Sequence, residues 1–322
     1  MKPIMDLVLG EHFTGFFVVR RKEIKKKKNG DPYLTLDLAD ASGHLDAVWW
    51  EFQPDLFGKT EADSVETGDI VKVAGHVEEY QGVRQIRVEK IRRVKPEDQV
   101  DLAKLIPVVE GDRQVLWQNF RKMIDSVVNP YLLSLLRRVF DDETFAKKFI
   151  DAPGGKLWHH NYLGGLMEHT LNIATICDRV AKIYPAVDRD LLVAAALVHD
   201  IGKVDSYTIG PNFDFTDAGR LLGHIVIGSQ MVAAKISEFP EFPDELAMKL
   251  QHLILSHQGK LEQASPDEPM TREGFILYYA DEIDSKLNAI ERINKDERPR
   301  GAKWSKFVNL LGRYLYLGEP QK

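Results

Sequence analysis

Between residues 13 and 94 apolar and polar positions alternate with a period near two, interrupted by turn residues, which is the pattern of short antiparallel strands. Residues 13–21 are apolar and rich in β-formers, and a lysine run then leads to Asn29, Gly30, Asp31 and Pro32, a strong turn signal. In 33–38, Leu34, Leu36 and Leu38 share one face, with Tyr33, Thr35 and Asp37 on the other. Ser42 and Gly43 turn the chain into a third strand over 45–52. Residues 69–80 and 83–94, joined through Gln81 and Gly82, read as a fourth and fifth. Five strands in so short a stretch predict a small barrel.

Beyond Lys95 and Pro96 the period changes to 3.6. Residues 115–128, 130–140, 166–183, 188–199, 221–237, 243–256, 272–294 and 304–316 carry apolar positions at helical spacing. The chain is therefore expected to be multidomain, a small all-β barrel followed by an all-α domain. The spans are 1–98 for the barrel, 99–150 for a helical linker region and 151–322 for the second domain. Three strands, an intervening segment and a hairpin make the barrel OB-like, and such barrels commonly hold single-stranded nucleic acid.

Composition narrows the picture. At 322 residues, 44% hydrophobic and 29% charged, the chain has material for two cores and is neither disordered nor fibrous. Its longest apolar run, 191–198, falls far short of the roughly 20 residues that span a bilayer. The first residues, with Lys2 and Asp6 around a few apolar positions, lack a signal-peptide pattern. The single cysteine, Cys177, agrees with a reducing compartment. A cytoplasmic protein without a membrane partner is expected.

The formal net charge of −6 argues, as an average, against nucleic acid. The average hides a division. Residues 20–28 hold seven basic and one acidic residue, and 84–95 hold six and one, while Glu241, Asp244, Glu245, Asp267, Glu268 and Glu273 crowd the helical part. Two basic runs, expected on neighbouring strands and interleaved with Tyr33, Trp49, Trp50, Phe52 and Tyr80, suit phosphate contact plus base stacking. Lys25, Lys26, Lys27, Arg84, Arg87 and Trp50 are the candidate strand-binding residues. Arg292, Lys295, Arg298, Arg300, Lys303 and Lys306 read either as another basic strip or as a solvated tail.

Seven of the 10 histidines lie between His159 and His257. His169, His199 with Asp200, His224, His257 and Asp281 form a pattern of imidazole and carboxylate, the donors that suit a borderline divalent transition ion; a thiolate site would need cysteines the chain lacks. His199 and Asp200 end the alanine-rich run 191–198, whose apolarity predicts burial. Two polar side chains there would each cost about 2–7 kcal/mol without partners, and a metal supplies one. Gly202 is placed to end that helix. His252 faces elsewhere and reads as structural; His12, His44 and His76 read as ordinary surface or turn residues. Cys177, among Ile173, Ala174, Ile176 and Val180, reads as a small core residue. Asp284 and Lys286, one turn past Asp281, would orient a ligand histidine, meet substrate or lie on a solvated face.

His169, His199-Asp200 and Asp281, on successive predicted helices, resemble the H…HD…D signature of the HD-domain metal-dependent phosphohydrolases. With the barrel, His159-His160, the Gly164-to-Thr170 motif, His199 to Lys203, Leu222-Gly223-His224 and Leu255-Ser256-His257, nearly the whole chain is similar to the YhaM family of 3′-to-5′ exoribonucleases. The resemblance implies an HD domain that shortens single-stranded RNA, or DNA, from the 3′ end to nucleoside 5′-monophosphates. It implies divalent metal, often Mn²⁺, with Fe, Zn, Co or Mg as alternatives. By position, His169, His199, Asp200 and Asp281 would hold one ion, and His224 and His257 a second, with Asp200 bridging. Lys203 would act with Asp200 in catalysis by neutralising a phosphate oxygen. His159 and His160 would touch the scissile phosphate or, on the plainer reading, make hydrogen bonds at a helix start. Two other functions stay open here: hydrolysis of small or cyclic nucleotides, although no Gly-Tyr-Pro follows Lys203, and a non-catalytic nucleic-acid-binding accessory role. A homo-oligomer is neither required nor forbidden.

Overall fold

The structure is a computed structural model that describes residues 2–52, 65–80, 82–101, 104–156, 158–210, 213–297 and 302–319. The chain forms two compact units, Met1–Val108 and, for the second, Val109–Ile209 with Phe213–Lys322. The expected linker region 99–150 is therefore corrected. Its first residues belong to the first unit, and its helices are built into the core of the second.

The first unit is a closed barrel of β1 (His12–Lys26), β2 (Pro32–Asp40), β3 (Gly43–Trp49), β4 (Ile70–Tyr80) and β5 (Val83–Arg93), in the order β1-β2-β3-β5-β4. Strand alternation produces it: Leu34, Leu36 and Leu38 all point into a core with Phe17, Val19, Val71, Val73, Ile86 and Val88. At the β1–β2 turn Gly30 has φ +91°, and Asn29 Oδ1 accepts from the Asp31 N–H at 3.2 Å. Of the basic run 20–28, residues 20–26 form the second half of β1, and Lys27 and Lys28 lie in the turn that follows. Nor are β1 and β5 neighbours: β4 pairs with both and separates them.

The second unit contains α1 (Arg113–Asp125), α2 (Pro130–Phe140), α3 (Glu143–Asp151), α4 (Gly165–Ile183), α5 (Arg189–Val198) and α6 (Lys203–Ser206). A small hairpin, β6 (Tyr207–Thr208) and β7 (Asp214–Phe215), precedes α7 (Asp217–Leu221), α8 (His224–Ser237), α9 (Asp244–Ser256) and α10 (Arg272–Glu297). Aspartate or asparagine caps four starts: Asp112, Asn129 followed by Pro130, Asp142 and Asp188. Phe120, Phe140 and Phe149 pack edge-on or tilted at 4.8–5.1 Å between centroids and tie α1–α3 to the core that also holds α4 and α5. All of Leu191 to Val198 is buried, as the apolar run requires. No helix among the described residues is long and apolar enough to cross a membrane.

Two helical expectations fail. Residues 304–316 instead pair antiparallel, Trp304 with Tyr316 and Val308 with Arg313, around a turn whose Gly312 takes φ +63°. Trp304, Phe307, Leu310 and Tyr314 are exposed, so their spacing marks no face on a core. Gly202 does not end α5 with a left-handed residue. Its φ is −64°, and the residue serves close approach: a Cβ there would lie 2.0 Å from the His224 carbonyl oxygen and 2.4 Å from the Gly228 nitrogen.

Candidate metal centre

α4, α5, α8, α9 and α10 each bring ligand-type side chains to one point. His169 lies one turn into α4, His199 and Asp200 just past α5, His224 at the first residue of α8, His257 just past α9, and Asp281 within α10. All except His224 and Asp281 are fully buried. The Asp200 carboxylate is the hub. Its Oδ2 lies 3.3 Å from both His169 Nε2 and His199 Nε2, and its Oδ1 lies 3.2 Å from His224 Nε2 and 3.5 Å from His257 Nε2. Asp281 Oδ1 joins the Oδ2 side, 3.2 Å from His169 Nε2.

The local fold fixes the imidazole tautomers. His199 Nδ1 lies 2.8 Å from the Ala196 carbonyl oxygen and His257 Nδ1 2.7 Å from that of Ile254. A carbonyl only accepts, so each Nδ1 carries a proton and each Nε2 presents a lone pair. Both contacts reach back three residues, a consequence of placing the histidine just past a helix end. His169 Nδ1 donates to Asp284 Oδ2 at 2.7 Å, which leaves its Nε2 facing inward.

The charges are strongly coupled. Burial opposes ionisation of Asp200, but the Lys203 ammonium at 2.5 Å and the adjoining imidazoles hold its carboxyl well below the usual range. Burial likewise opposes charge on His169, yet Asp200, Asp281 and Asp284 raise its pKa well above the ordinary value. For His199 and His224 burial prevails over Asp200 and lowers both.

His169 Nε2, His199 Nε2, His224 Nε2 and Asp200 Oδ1 are buried without a hydrogen-bond partner, although each lies close to another donor atom. Metal–ligand bonds of about 2.0–2.2 Å place neighbouring donors roughly 3.0–3.6 Å apart, so these separations fit a coordination shell better than a hydrogen-bond network. The imidazole and carboxylate set suits Mn, Fe, Co or Zn.

Comparison with known proteins agrees with this geometry. The HD domain family matches residues 166–286, and the OB-fold nucleic acid binding domain family matches residues 18–94. The protein named 3′-5′ exoribonuclease YhaM from Bacillus velezensis is 32% identical over 302 residues, covering 92% of this chain and 93% of its own. This chain belongs to the YhaM family. A protein of the same name from Geobacillus sp. is 31% identical over 92% of this chain and 90% of its own. Among solved structures, the second OB-fold domain of replication protein A from Methanococcus maripaludis aligns over 31% of this chain, with 23% identity and a TM-score of 0.23.

Around these candidate ligands this YhaM-family chain builds a support layer that the sequence only hinted at. Asp284 Oδ2 accepts from both His169 and His160, each at 2.7 Å, and its Oδ1 accepts from Asn172 at 2.9 Å. Of its three readings, orienting a ligand histidine is the one the contacts match. His160 is corrected from phosphate contact: it is 1% exposed, its Nδ1 faces Glu168 Oε2 at 2.9 Å, and its backbone N–H donates to Asn288. Its φ of +46° is accommodated because its carbonyl accepts from Gly154 and Tyr162. Tyr162, Glu168, Asn172 and Asn288 were missed. Spacing gave a signal for two: Asn172 lies one turn after His169, and Glu168 immediately precedes it.

His159 differs from His160. Both of its ring nitrogens are buried without a partner, 4.9 Å separates its centroid from that of His169, and burial, with the charges of His169 and Lys203, lowers its pKa well below normal. Lys286 is paired with Glu282. His252 Nε2 accepts from the Met270 N–H, a structural role.

The candidate strand-binding residues meet different fates. Lys25 and Lys26 are exposed at the end of β1, Lys25 3.3 Å from Glu23, and Lys27 is half-buried in the turn. Arg84 donates to the Leu7 carbonyl and Arg87 pairs with Glu51 at 3.0 Å. Arg92 and Arg93 pair with Asp98 and Asp69, so much of the second basic run is neutralised. Trp50 stacks on Tyr33 at 4.7 Å, whereas Phe52 is in the core and Trp49 packs against it. Near the C-terminus Lys295 and Lys303 are ion-paired, and Arg298 and Arg300 lie outside the described residues.

Proposed function

We propose that this protein is a divalent-metal-dependent 3′-to-5′ exoribonuclease that hydrolyses single-stranded RNA, with DNA as a weaker alternative, to nucleoside 5′-monophosphates. The observation that carries the reading is the division of donors across one carboxylate. Asp200 Oδ2 faces His169 and His199, with Asp281 beside them, while Oδ1 faces His224 and His257. Those two donor sets would hold two divalent ions, with Asp200 contributing an oxygen to each, and the family resemblance favours Mn²⁺. When bound, divalent ions supply Lewis-acid polarisation of a phosphoryl oxygen and a nucleophile from water at neutral pH.

The chain's own residues do the rest. The Nδ1 contacts of His169, His199 and His257 hold three rings in register before any ion arrives, which limits reorganisation on loading. Lys203, 5% exposed, offers its ammonium to Asp200 until substrate comes, and then to a phosphate oxygen as charge builds. His159, held neutral by burial, has one ring N–H without a partner to donate to a phosphate oxygen. On the barrel, the Tyr33–Trp50 stack and the lysines at the end of β1 provide a base platform and phosphate contacts.

The test is 5′-labelled single-stranded RNA incubated with Mn²⁺, with chelator, and with Asp200→Ala. A one-nucleotide ladder and mononucleotide release that depend on metal and on Asp200 are expected. Turnover of only free or cyclic nucleotides, or binding without turnover, would refute it. Lys203→Gln is expected to lower kcat at saturating metal by roughly 100-fold or more, the scale for a lost transition-state charge contact.

A further inference from the structure

A second histidine cluster lies on the barrel, in the unit that does not hold the metal centre. His12 on β1 and His76 on β4 are directly paired across the strands, and their rings meet at 4.9 Å between centroids. On the other side of β4, the β4–β5 ladder changes register: Ala74 faces Lys90 but Gly75 faces Val88, so Glu89 is the extra residue of a β-bulge. Bulges re-aim side chains. Here the backbones approach so closely that a Cβ on Gly75 would lie 2.2 Å from the Arg87 carbonyl oxygen. Glu89 Oε1 consequently lies 3.0 Å from His76 Nδ1 and 3.6 Å from His12 Nδ1. Donor atoms of all three residues lie within 4.8 Å of one another.

We propose that His12, His76 and Glu89 form a separate surface site for a borderline divalent transition ion of the zinc class. With donor atoms within 4.8 Å of one another, the two imidazole nitrogens and the carboxylate can share one divalent cation, each nitrogen offering it a lone pair. Two nitrogens and one oxygen form a donor set for such an ion, and solvent completes the shell. Three strands of a closed barrel supply the donors, so the backbone spacing is set before the ion binds. The two histidines differ in freedom: His76 is half-buried and His12 is 73% exposed, so His12 can swing in to complete the site at little cost. Preference for imidazole separates this site from a magnesium or calcium site, which would be built from oxygens.

The test is equilibrium dialysis of the full-length protein against Zn²⁺, with bound metal counted by mass spectrometry. Wild type, His12→Gln, His76→Gln and Glu89→Gln are compared, with His44→Gln as a control histidine on the same barrel. The first three variants are expected to bind about one Zn²⁺ fewer per chain, or to bind that ion at least about tenfold more weakly. His44→Gln should match wild type, and Mn²⁺-supported RNA hydrolysis should be unchanged in all four. Unfolding midpoints show whether each variant folds; His12 is exposed enough for its substitution to be silent there. Equal zinc content in wild type and the three variants, or an equal loss in His44→Gln, would overturn the proposal.

Discussion

Asp284 touches no metal donor point itself, yet Asp284→Asn is expected to weaken metal binding. The wild-type carboxylate accepts a hydrogen bond from His169 Nδ1 at 2.7 Å and so turns His169 Nε2 toward Asp200 and Asp281. Burial opposes its charge, but hydrogen bonds from His160 and His169 keep the carboxyl far below the usual range, so it is an anion at all physiological pH values. The amide keeps the shape and one acceptor oxygen. Asn172 can turn its own amide over to pair with the new NH₂, so the principal loss is the negative charge behind His169. Losing such a partner lowers metal affinity by roughly 10–100-fold, or about 1.4–2.7 kcal/mol. Calorimetric titration with Mn²⁺, run beside the metal dependence of RNA hydrolysis, should show Kd and the half-saturating concentration rising together, with the rate restored at high metal. A fall in kcat at saturating Mn²⁺ with Kd unchanged would refute the reasoning and place Asp284 against substrate.

Gly202→Ala should destabilise the helical unit by more than the roughly 1–3 kcal/mol of ordinary overpacking, because its Cβ meets backbone of α8 at 2.0–2.4 Å. Gly223→Ala has open space, but its φ of +75° with ψ of 151° is a backbone region only glycine enters readily, so it should cost about 1–3 kcal/mol from strain alone; urea unfolding should show the larger loss for Gly202→Ala. Asp98 is held below its usual pKa by Arg92, the Lys95 N–H and Lys72. Its folded pKa is depressed, so the stability it adds is complete above the unfolded value of about 3.9 and is lost as pH falls toward the folded one. The unfolding midpoint of Asp98→Asn should thus trail wild type at pH 6 and converge with it in acid; a gap independent of pH would contradict this. Burial pushes the Cys177 thiol far above its normal pKa, so a thiol reagent should leave the folded protein unlabelled and react once it is denatured.

The barrel was legible because its alternation is regular: Leu34, Leu36 and Leu38 needed only a period of two. The candidate ligands were legible as donor types, because imidazole and carboxylate such as His199 and Asp200, set after the buried run 191–198, have few other uses in an apolar core. Pairing was not legible. Nothing local says that Arg87, Arg92 and Arg93 meet Glu51, Asp98 and Asp69, partners up to 36 residues away, so the second basic run looked more available than it is. The bulge at Glu89 was equally hidden, since it depends on which residues of β4 face β5, and His12 and His76 consequently looked ordinary. Residues 304–316 show the converse error: helical spacing without a core to bury it carries no force, and a glycine at position 312 allowed the chain to reverse.

The candidate ligands are far apart along the chain, His169 on α4 and Asp281 on α10. An ion held by both would tie these two helices directly. A force applied to the chain termini, such as that of an unfolding machine, would then run partly through the coordination bonds and bypass α5–α9. Such a machine could strip α1–α3 or the end of α10 from the unit, while the polypeptide between His169 and Asp281 would carry less tension until the ion let go.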